Sequence, residues 1–468
     1  MAATPTSQDP MIGAPSSEET LITLHDDFSL VRVPESARYG WVSVAMQRFG
    51  MLSALAQFML AASIGVGLSF WDAMIAITLG SVILEVVSIF LGIAGVKEGL
   101  STSVLARWSG FGTVGSALVG LVMATSLVGW FAVQNAVFAE GLHSLVPAIP
   151  MWIWAIVGGL VVTAVVTLGF AAMSWVAWIA VPAFLLVCVW SVSKVLSDQG
   201  MALFSSGPSG QPISLAAATT FVAGGFIVGA IFTPDMSRYN RSVADVVKQT
   251  VVGVTLGEYF VGVIGVLLAH ALKVTIPGDA GAVVGIIQST SGVLGVLVLV
   301  VSIVKVNDWN LYPSSLGVVN AVDVLAGIRL PRAGVALGLG ALGAVLSAVG
   351  FAKLFQPFLL ELGVVCPPIA AIMIADYFVC RSWRVELAES RERGELPAVV
   401  PMVVPAGLLA WVLGYLAGRI SMEYPEFLWG WNIPSLTSLV VAFGVYVLAG
   451  RCGLARGANI RPLIRHWS

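Results

Sequence analysis

Charge is what this chain has least of. Of its 468 residues only 10% are charged, while 58% are hydrophobic and the mean hydropathy is +0.95. Soluble domains carry charge on about a quarter of their residues, so a water-soluble fold of this size is excluded. Cysteine is scarce as well. Cys188, Cys366, Cys380 and Cys452 show no CxxC or metal-ligand spacing. The four histidines, His25, His143, His270 and His466, are scattered and form no HExxH. No GxxxxGK[ST] loop is present, which argues against ATP-driven transport. No metal or nucleophile constellation points to a membrane enzyme, and no cofactor is expected. The net charge of −2 comes without a basic patch, so nucleic acid has no footprint here. No obligate protein partner is evident either.

What is present is a series of apolar runs. A run of about 20 such residues crosses a bilayer as a helix. About twelve meet that criterion, beginning near Met51, Met74, Val114, Met151, Trp175, Ser214, Val251, Gly285, Ala333, Phe355, Val399 and Phe427. "FAAMSW" (170–175) and "VGFAKLF" (349–355) read as tight turns between spans. The runs are too long, and too poor in two-residue alternation, for a β-barrel. The expected class is an all-α polytopic membrane protein. Residues 1–40, polar and rich in Ser, Thr, Pro and Glu, read as a disordered cytoplasmic tail rather than a secretory signal. The transmembrane domain then covers 41–450, and 451–468 form a cytoplasmic C-terminal tail.

Basic residues set the orientation, because cytoplasmic loops collect Lys and Arg. Alternate connections carry Lys97 and Arg107; Arg238, Arg241 and Lys248; Arg329 and Arg332; and Arg381, Arg384, Arg391 and Arg393. The C-terminal tail adds Arg451, Arg456, Arg461 and Arg465. The intervening connections hold only Lys194, Lys273, Lys353 and Arg419. Both termini are therefore expected in the cytoplasm, in the plasma (inner) membrane.

Polar groups at membrane depth are the candidate site residues, since each is costly in hydrocarbon. Trp130 and Gln134 in "GWFAVQNAVFAE" share a helical face; they are either packing and interfacial residues or a stacking surface with an edge-reading amide. Gly224 and Gly225 precede Phe226 in "FVAGGFIVGAIFTPDMSRYNR" (221–241). They mark either close helix packing or a helix broken at a binding cavity, with Phe226 as a second aromatic surface. Gln57 is either an interhelical hydrogen-bonder or part of the site. Glu85 and Glu258 are each either a structural partner or a protonatable group. In "VSIVKVNDWNLYPSSLG" (301–317), Asn307 and Asn310 fall on one helical face, with Lys305, Asp308 and Trp309 roughly opposite. Lys305 and Asp308, three apart, either neutralise each other or form part of a coupled site.

The chain resembles the purine–cytosine permease branch of the nucleobase–cation symporter family. "SIGVGLSFWDA" (63–73) is similar to the family's segment between its first two helices, and "LVGWFAVQNAVFA" to its third helix. "GGFIVGAIFTPDMSRYNR" is similar to the sixth helix and following loop, "NDWNLYPSSLG" to the eighth, and "CPPIAAIMIADYF" (366–378) to the tenth. The resemblance implies a LeuT-type architecture: five helices repeated inverted, plus two C-terminal helices, with helices one and six broken around a central site. It implies that Trp130 and Phe226 sandwich a flat ring, that Gln134, Asn307 and Asn310 read its edge, and that Gln57 and the backbone at Gly225 lie at the breaks. Together these should surround one cavity near the bilayer midplane. Sodium-coupled members carry adjacent hydroxyl residues where this chain has Lys305 and Val306. Sodium needs oxygen ligands, so the coupling ion is expected to be a proton rather than sodium, with Lys305, Asp308, Glu85 and Glu258 as candidate groups. The expected function is uptake of a nucleobase or related heterocycle by alternating access; an amino-acid or other small-solute carrier on the same fold is the alternative. Cytosine, a purine, allantoin and a hydantoin all remain open.

Overall fold

The computed structural model describes residues 28, 31–52, 55–167, 170–276, 278–328, 330–426 and 432–462. The expected start of the last span at Phe427 lies outside them, as does most of the N-terminal tail. The described residues are helical almost throughout. The first span is a bent pair, Trp41–Leu52 and Leu55–Gly67, turning by 52°. It begins ten residues before Met51, because the amphipathic stretch Trp41–Gly50 is helical too. The second to fifth spans are Phe70–Glu98, Gly112–Leu145, Met151–Thr167 and Phe170–Gln199. Residues 170–175 are thus helix rather than the expected turn, and the fourth helix ends at Thr167.

The sixth span runs Leu215–Ile231 and continues as Thr233–Ser237; the seventh covers Val243–Ala271. Ala280–Ala326 contains the eighth span, kinked at Gly292, whose φ of 62° and ψ of −158° a side chain would disfavour. The ninth is Arg332–Ala348, and the tenth covers Phe351–Cys380. The expected turn at 349–355 is there: Gly350 is left-handed and Phe351–Leu354 form a 3-10 turn. The last two spans are Pro405–Glu423 and Pro434–Arg451. Val399–Val400, expected to open a span, instead pairs antiparallel with Arg461–Pro462, which ties the C-terminal segment to the membrane domain.

Packing sorts the spans into two bodies. The first, second, sixth and seventh pack on one another, and so do the third, fourth, eighth and ninth. These are corresponding positions of two five-helix repeats. The fifth span packs on the eighth and the tenth on the sixth, and the last two spans pack together. Small residues allow the close approaches: Gly224 lies against the backbone of Leu359, Gly225 against Leu60, and Gly317 against Gly120.

One expectation is corrected here. The sixth helix is continuous through Gly224, Gly225 and Phe226 and breaks at Phe232 (φ −75°, ψ 7°), just before Pro234. The physical reason is plain. Proline lacks the N–H that a helix interior needs, whereas the two glycines serve close packing.

Candidate substrate site and buried charges

Three groups of candidates come together. On the first and sixth spans, Gln57 Nε2 donates to Gly225 O at 3.3 Å, which leaves Gln57 Oε1 buried and without a partner among the described residues. On the third and eighth spans, Asn310 Nδ2 donates to Asn307 Oδ1 at 2.9 Å, and Asn307 Nδ2 to Phe131 O at 3.4 Å, one residue beyond Trp130. The two asparagines do share a face, as the helical wheel requires. Gln134, one turn after Trp130, has its Oε1 buried and unpartnered. A buried acceptor without a donor costs about 1–3 kcal/mol, so these carbonyls call for a ligand or water that brings N–H or O–H groups.

The aromatic candidates are buried but differently employed. Trp130 meets Phe355 and Phe358 of the tenth span edge to face, with centroids 6.0 and 5.6 Å apart. Phe226 carries the Arg48 guanidinium 5.9 Å from its ring centroid. No direct ring contact joins Trp130 to Phe226 among the described residues. What brings their spans together is the first helix, which packs on the third, sixth and eighth.

The charged candidates separate. Lys305 Nζ meets Asp308 Oδ1 at 3.0 Å and Oδ2 at 3.2 Å, and lies 5.6 Å from the Trp309 ring centroid. Both partners are buried, so the two charges neutralise each other inside one helix. Glu258 is buried on the seventh span with Oε1 unpartnered. Glu85 is half-buried on the second and has no hydrogen-bond or ion-pair partner among the described residues. Neither glutamate is joined to Lys305 or Asp308.

Sequence reasoning missed several residues. Arg48 is buried within the first span and bonds Thr233 Oγ1 at 3.0 Å and Ser88 Oγ at 3.2 Å. Its signal was an arginine inside an apolar run, "VSVAMQRFGML", hidden once the span was started at Met51. Glu98 was missed as well. It ends the second span and takes Arg32 Nη1 at 3.0 Å, Arg391 Nη1 at 2.9 Å and the Tyr377 hydroxyl at 2.8 Å. Arg32 also donates to Ser390 Oγ at 2.8 Å and to Glu395 O at 2.7 Å. Burial holds the Arg32 pKa below the ordinary guanidinium value, and the Glu98 carboxylate opposes that shift. Nothing but assembly of these distant segments reveals this cluster.

With the geometry in place, the comparisons decide the family. Residues 32–447 match the family described as permease for cytosine/purines, uracil, thiamine, allantoin. The chain belongs to that family. The cytosine permease of Escherichia coli (strain K12) is 31% identical over 398 residues, 84% of this chain and 89% of that protein. The hydantoin permease of Microbacterium maritypicum is 24% identical over 375 residues, 74% of each chain. The inward-facing conformation of Mhp1 matches with a TM-score of 0.75 at 18% identity, covering 91% of this chain and 93% of that one. Mhp1 in a closed conformation with bromovinylhydantoin bound gives a TM-score of 0.72 at 20% identity. This permease is therefore an integral membrane protein with the LeuT-type fold, and its relatives are transporters rather than enzymes.

Proposed function

We propose that this permease imports a nucleobase or closely related flat heterocycle by alternating access, without sodium. The observation that carries the reading is the pair of buried, unpartnered amide oxygens, Gln57 Oε1 and Gln134 Oε1, on spans from the two different bodies. Gln134 stands one turn from Trp130, and Gln57 is bonded to the residue before Phe226. A base supplies what this arrangement lacks: a flat face for the rings and N–H donors for the carbonyls. The fixed Asn310–Asn307–Phe131 chain adds a rigid edge on the second body. A ligand held by both bodies responds to their relative movement, which is the requirement of alternating access.

Sodium independence follows from Lys305. The family resemblance aligns Lys305 and Val306 with the hydroxyl pair that holds sodium in sodium-coupled members, and an ammonium there repels sodium. The excess of basic residues in alternate connections supports a cytoplasmic position for both termini. The test is uptake of radiolabelled cytosine, uracil, adenine, allantoin and hydantoin into proteoliposomes, with sodium and proton gradients imposed separately. Saturable uptake of one of these without sodium is expected. Sodium-dependent uptake would refute the coupling, and no heterocycle uptake at all would refute the substrate class.

A further inference from the structure

Once Lys305 and Asp308 have neutralised each other, Arg48, 1% exposed, and Glu258, 3% exposed, stand out among the buried charges, because both lie in the bundle of the first, second, sixth and seventh spans. The Arg48 stem packs on Gly253 of the seventh while its guanidinium turns to the second and sixth, and Glu258 sits on the seventh. The register sets what Glu258 faces. A Cβ on Gly262 would stand 2.8 Å from Ile77, and one on Gly253 would stand 2.8 Å from the Cβ of Arg48. The second and seventh spans run antiparallel. One turn back from Gly262 is Glu258, and one turn on from Ile77 is Ser81, so the two face each other. The hydroxyls of Tyr259 and Thr78 bond across the same seam. On the other flank, a Cβ on Gly257 would meet the Leu52 side chain at 3.0 Å, which puts the first span alongside.

Among the described residues three polar atoms at this level have no partner: Glu258 Oε1, Ser81 Oγ and Thr255 Oγ1. Thr255 ends a π-helical turn, Val251–Thr255, three residues before the glutamate, a distortion that recurs at functional sites. Arg48 reaches Ser88, two turns along the second span from Ser81, or roughly 10 Å. Among the described residues no carboxylate contacts the guanidinium. Of the spans packed on the seventh, the first offers only Arg48 as a charge. The second offers Glu85, one turn beyond Ser81, with Asp72 in its first turn and Lys97 and Glu98 at its far end. The fifth offers Cys188, with Lys194 and Asp198 toward its far end.

We propose that Glu258 is the proton-binding group of this permease, with Ser81 and Thr255 solvating it and Arg48 as its counter-charge. The proposal rests on the reading of the chain as a sodium-independent heterocycle carrier. Protonated, Glu258 is neutral and can donate to Ser81 Oγ, which suits a buried site. Ionised, it is a buried anion, and Arg48 is the buried cation of the same four-span bundle, in a medium where charges act strongly. Arg48 in turn lies over Phe226, the ring assigned to the substrate. Loss of the proton to water on the cytoplasmic side draws the guanidinium toward Glu258 and away from that ring. Proton and substrate thereby bias the same side chain, which is the physical content of coupling. Only the O–H bond is made and broken.

The test uses the full-length protein in sodium-free proteoliposomes, with whichever base the uptake panel selects as probe. Wild type should accumulate the base against its gradient when the outside is acidic. Glu258→Gln, a permanent mimic of the protonated form, should keep base-for-base exchange near the wild-type rate. It should lose accumulation, reaching only equal concentrations inside and out. Arg48→Met removes the cation that favours ionisation, so the pH of half-maximal uptake should rise. Accumulation by Glu258→Gln at the wild-type level would overturn the proposal, and so would an unchanged pH profile in Arg48→Met. Should Glu258→Gln fail to fold, Ser81→Ala reads the same site: its pH profile should move while maximal exchange persists, and an unmoved profile counts against the proposal. Absence of exchange by the wild type, for every base, fails the carrier reading itself.

Discussion

The tenth span is held at both ends, and by opposite chemistry. Toward the side that carries the termini, the contacts are ionic: Glu98 of the second span takes Arg391 and Tyr377, and Arg32 from before the first span. At the other end the contacts are rings. Phe355 and Phe358 stand edge to face on Trp130, and Phe351 on Phe358 at 5.7 Å. Buried ion pairs have narrow geometric tolerance and are costly to break on one side. Aromatic pairs contribute about 0.5–1.5 kcal/mol each beyond their buried area and accept a range of angles. The difference assigns the ends different parts: the ionic end anchors the tenth span to the first body, and the aromatic end, which rests on Trp130, tolerates sliding.

Breaking the ionic end should have the largest effect. Glu98→Ala leaves Arg32 buried without its carboxylate, and truncating one partner of a buried pair costs about 3–5 kcal/mol. Thermal unfolding of the purified protein should show a fall of that order. A loss of less than 1 kcal/mol would mean that the Glu395 and Leu387 carbonyls, which Arg32 also reaches, suffice to hold it, and the anchor assignment would fail.

Breaking the aromatic end should act on binding rather than on stability. Base–aromatic stacking is worth about 1–3 kcal/mol per base, so Trp130→Ala should weaken substrate affinity by about 5- to 150-fold while the protein stays folded. Unchanged affinity in equilibrium binding would remove Trp130 from the site. Phe358→Ala takes away one edge-to-face partner, about 0.5–1.5 kcal/mol. It should shift the resting population toward the state open at that end, seen as faster labelling of a cysteine introduced at Gly129, whose missing Cβ would lie 2.6 Å from the Phe358 ring.

The ring end was half legible in the sequence, the ionic end hardly at all. Trp130 could be singled out because its partner Gln134 stands one helical turn away, and local spacing is what a sequence displays. Asn307 with Asn310, and Lys305 with Asp308, were legible for the same reason, and both pairs are bonded. Arg32, Glu98 and Arg391 are far apart in the chain and meet only through the packing of three segments. The break of the sixth helix was misplaced because glycines and a proline were both on offer. Gly224 and Gly225 turned out to serve contact with Leu359 and Leu60, leaving Pro234 to end the helix. Arg48 was overlooked through a boundary error of ten residues.

The smallest predicted effect tests whether charge or burial makes the anchor. Arg456 Nη2 meets Glu386 Oε1 at 2.6 Å on the same side of the molecule, and its guanidinium lies 5.4 Å from the Trp383 ring centroid. The pair resembles Arg32–Glu98 in chemistry but not in setting, since the Arg456 side chain is 63% exposed. Water solvates an exposed arginine almost as well as its partner does, and salt screens what remains. Arg456→Ala should therefore cost about 0.2–1 kcal/mol, and less still at high ionic strength, whereas the Glu98→Ala loss should hardly respond to salt. Measuring both variants by thermal unfolding at low and high salt separates the two explanations. Equal losses, screened alike, would mean that ionic contact as such holds the tenth span. Unequal losses, with only the Arg456 effect sensitive to salt, would mean that exclusion of water around Glu98 is what makes that end rigid.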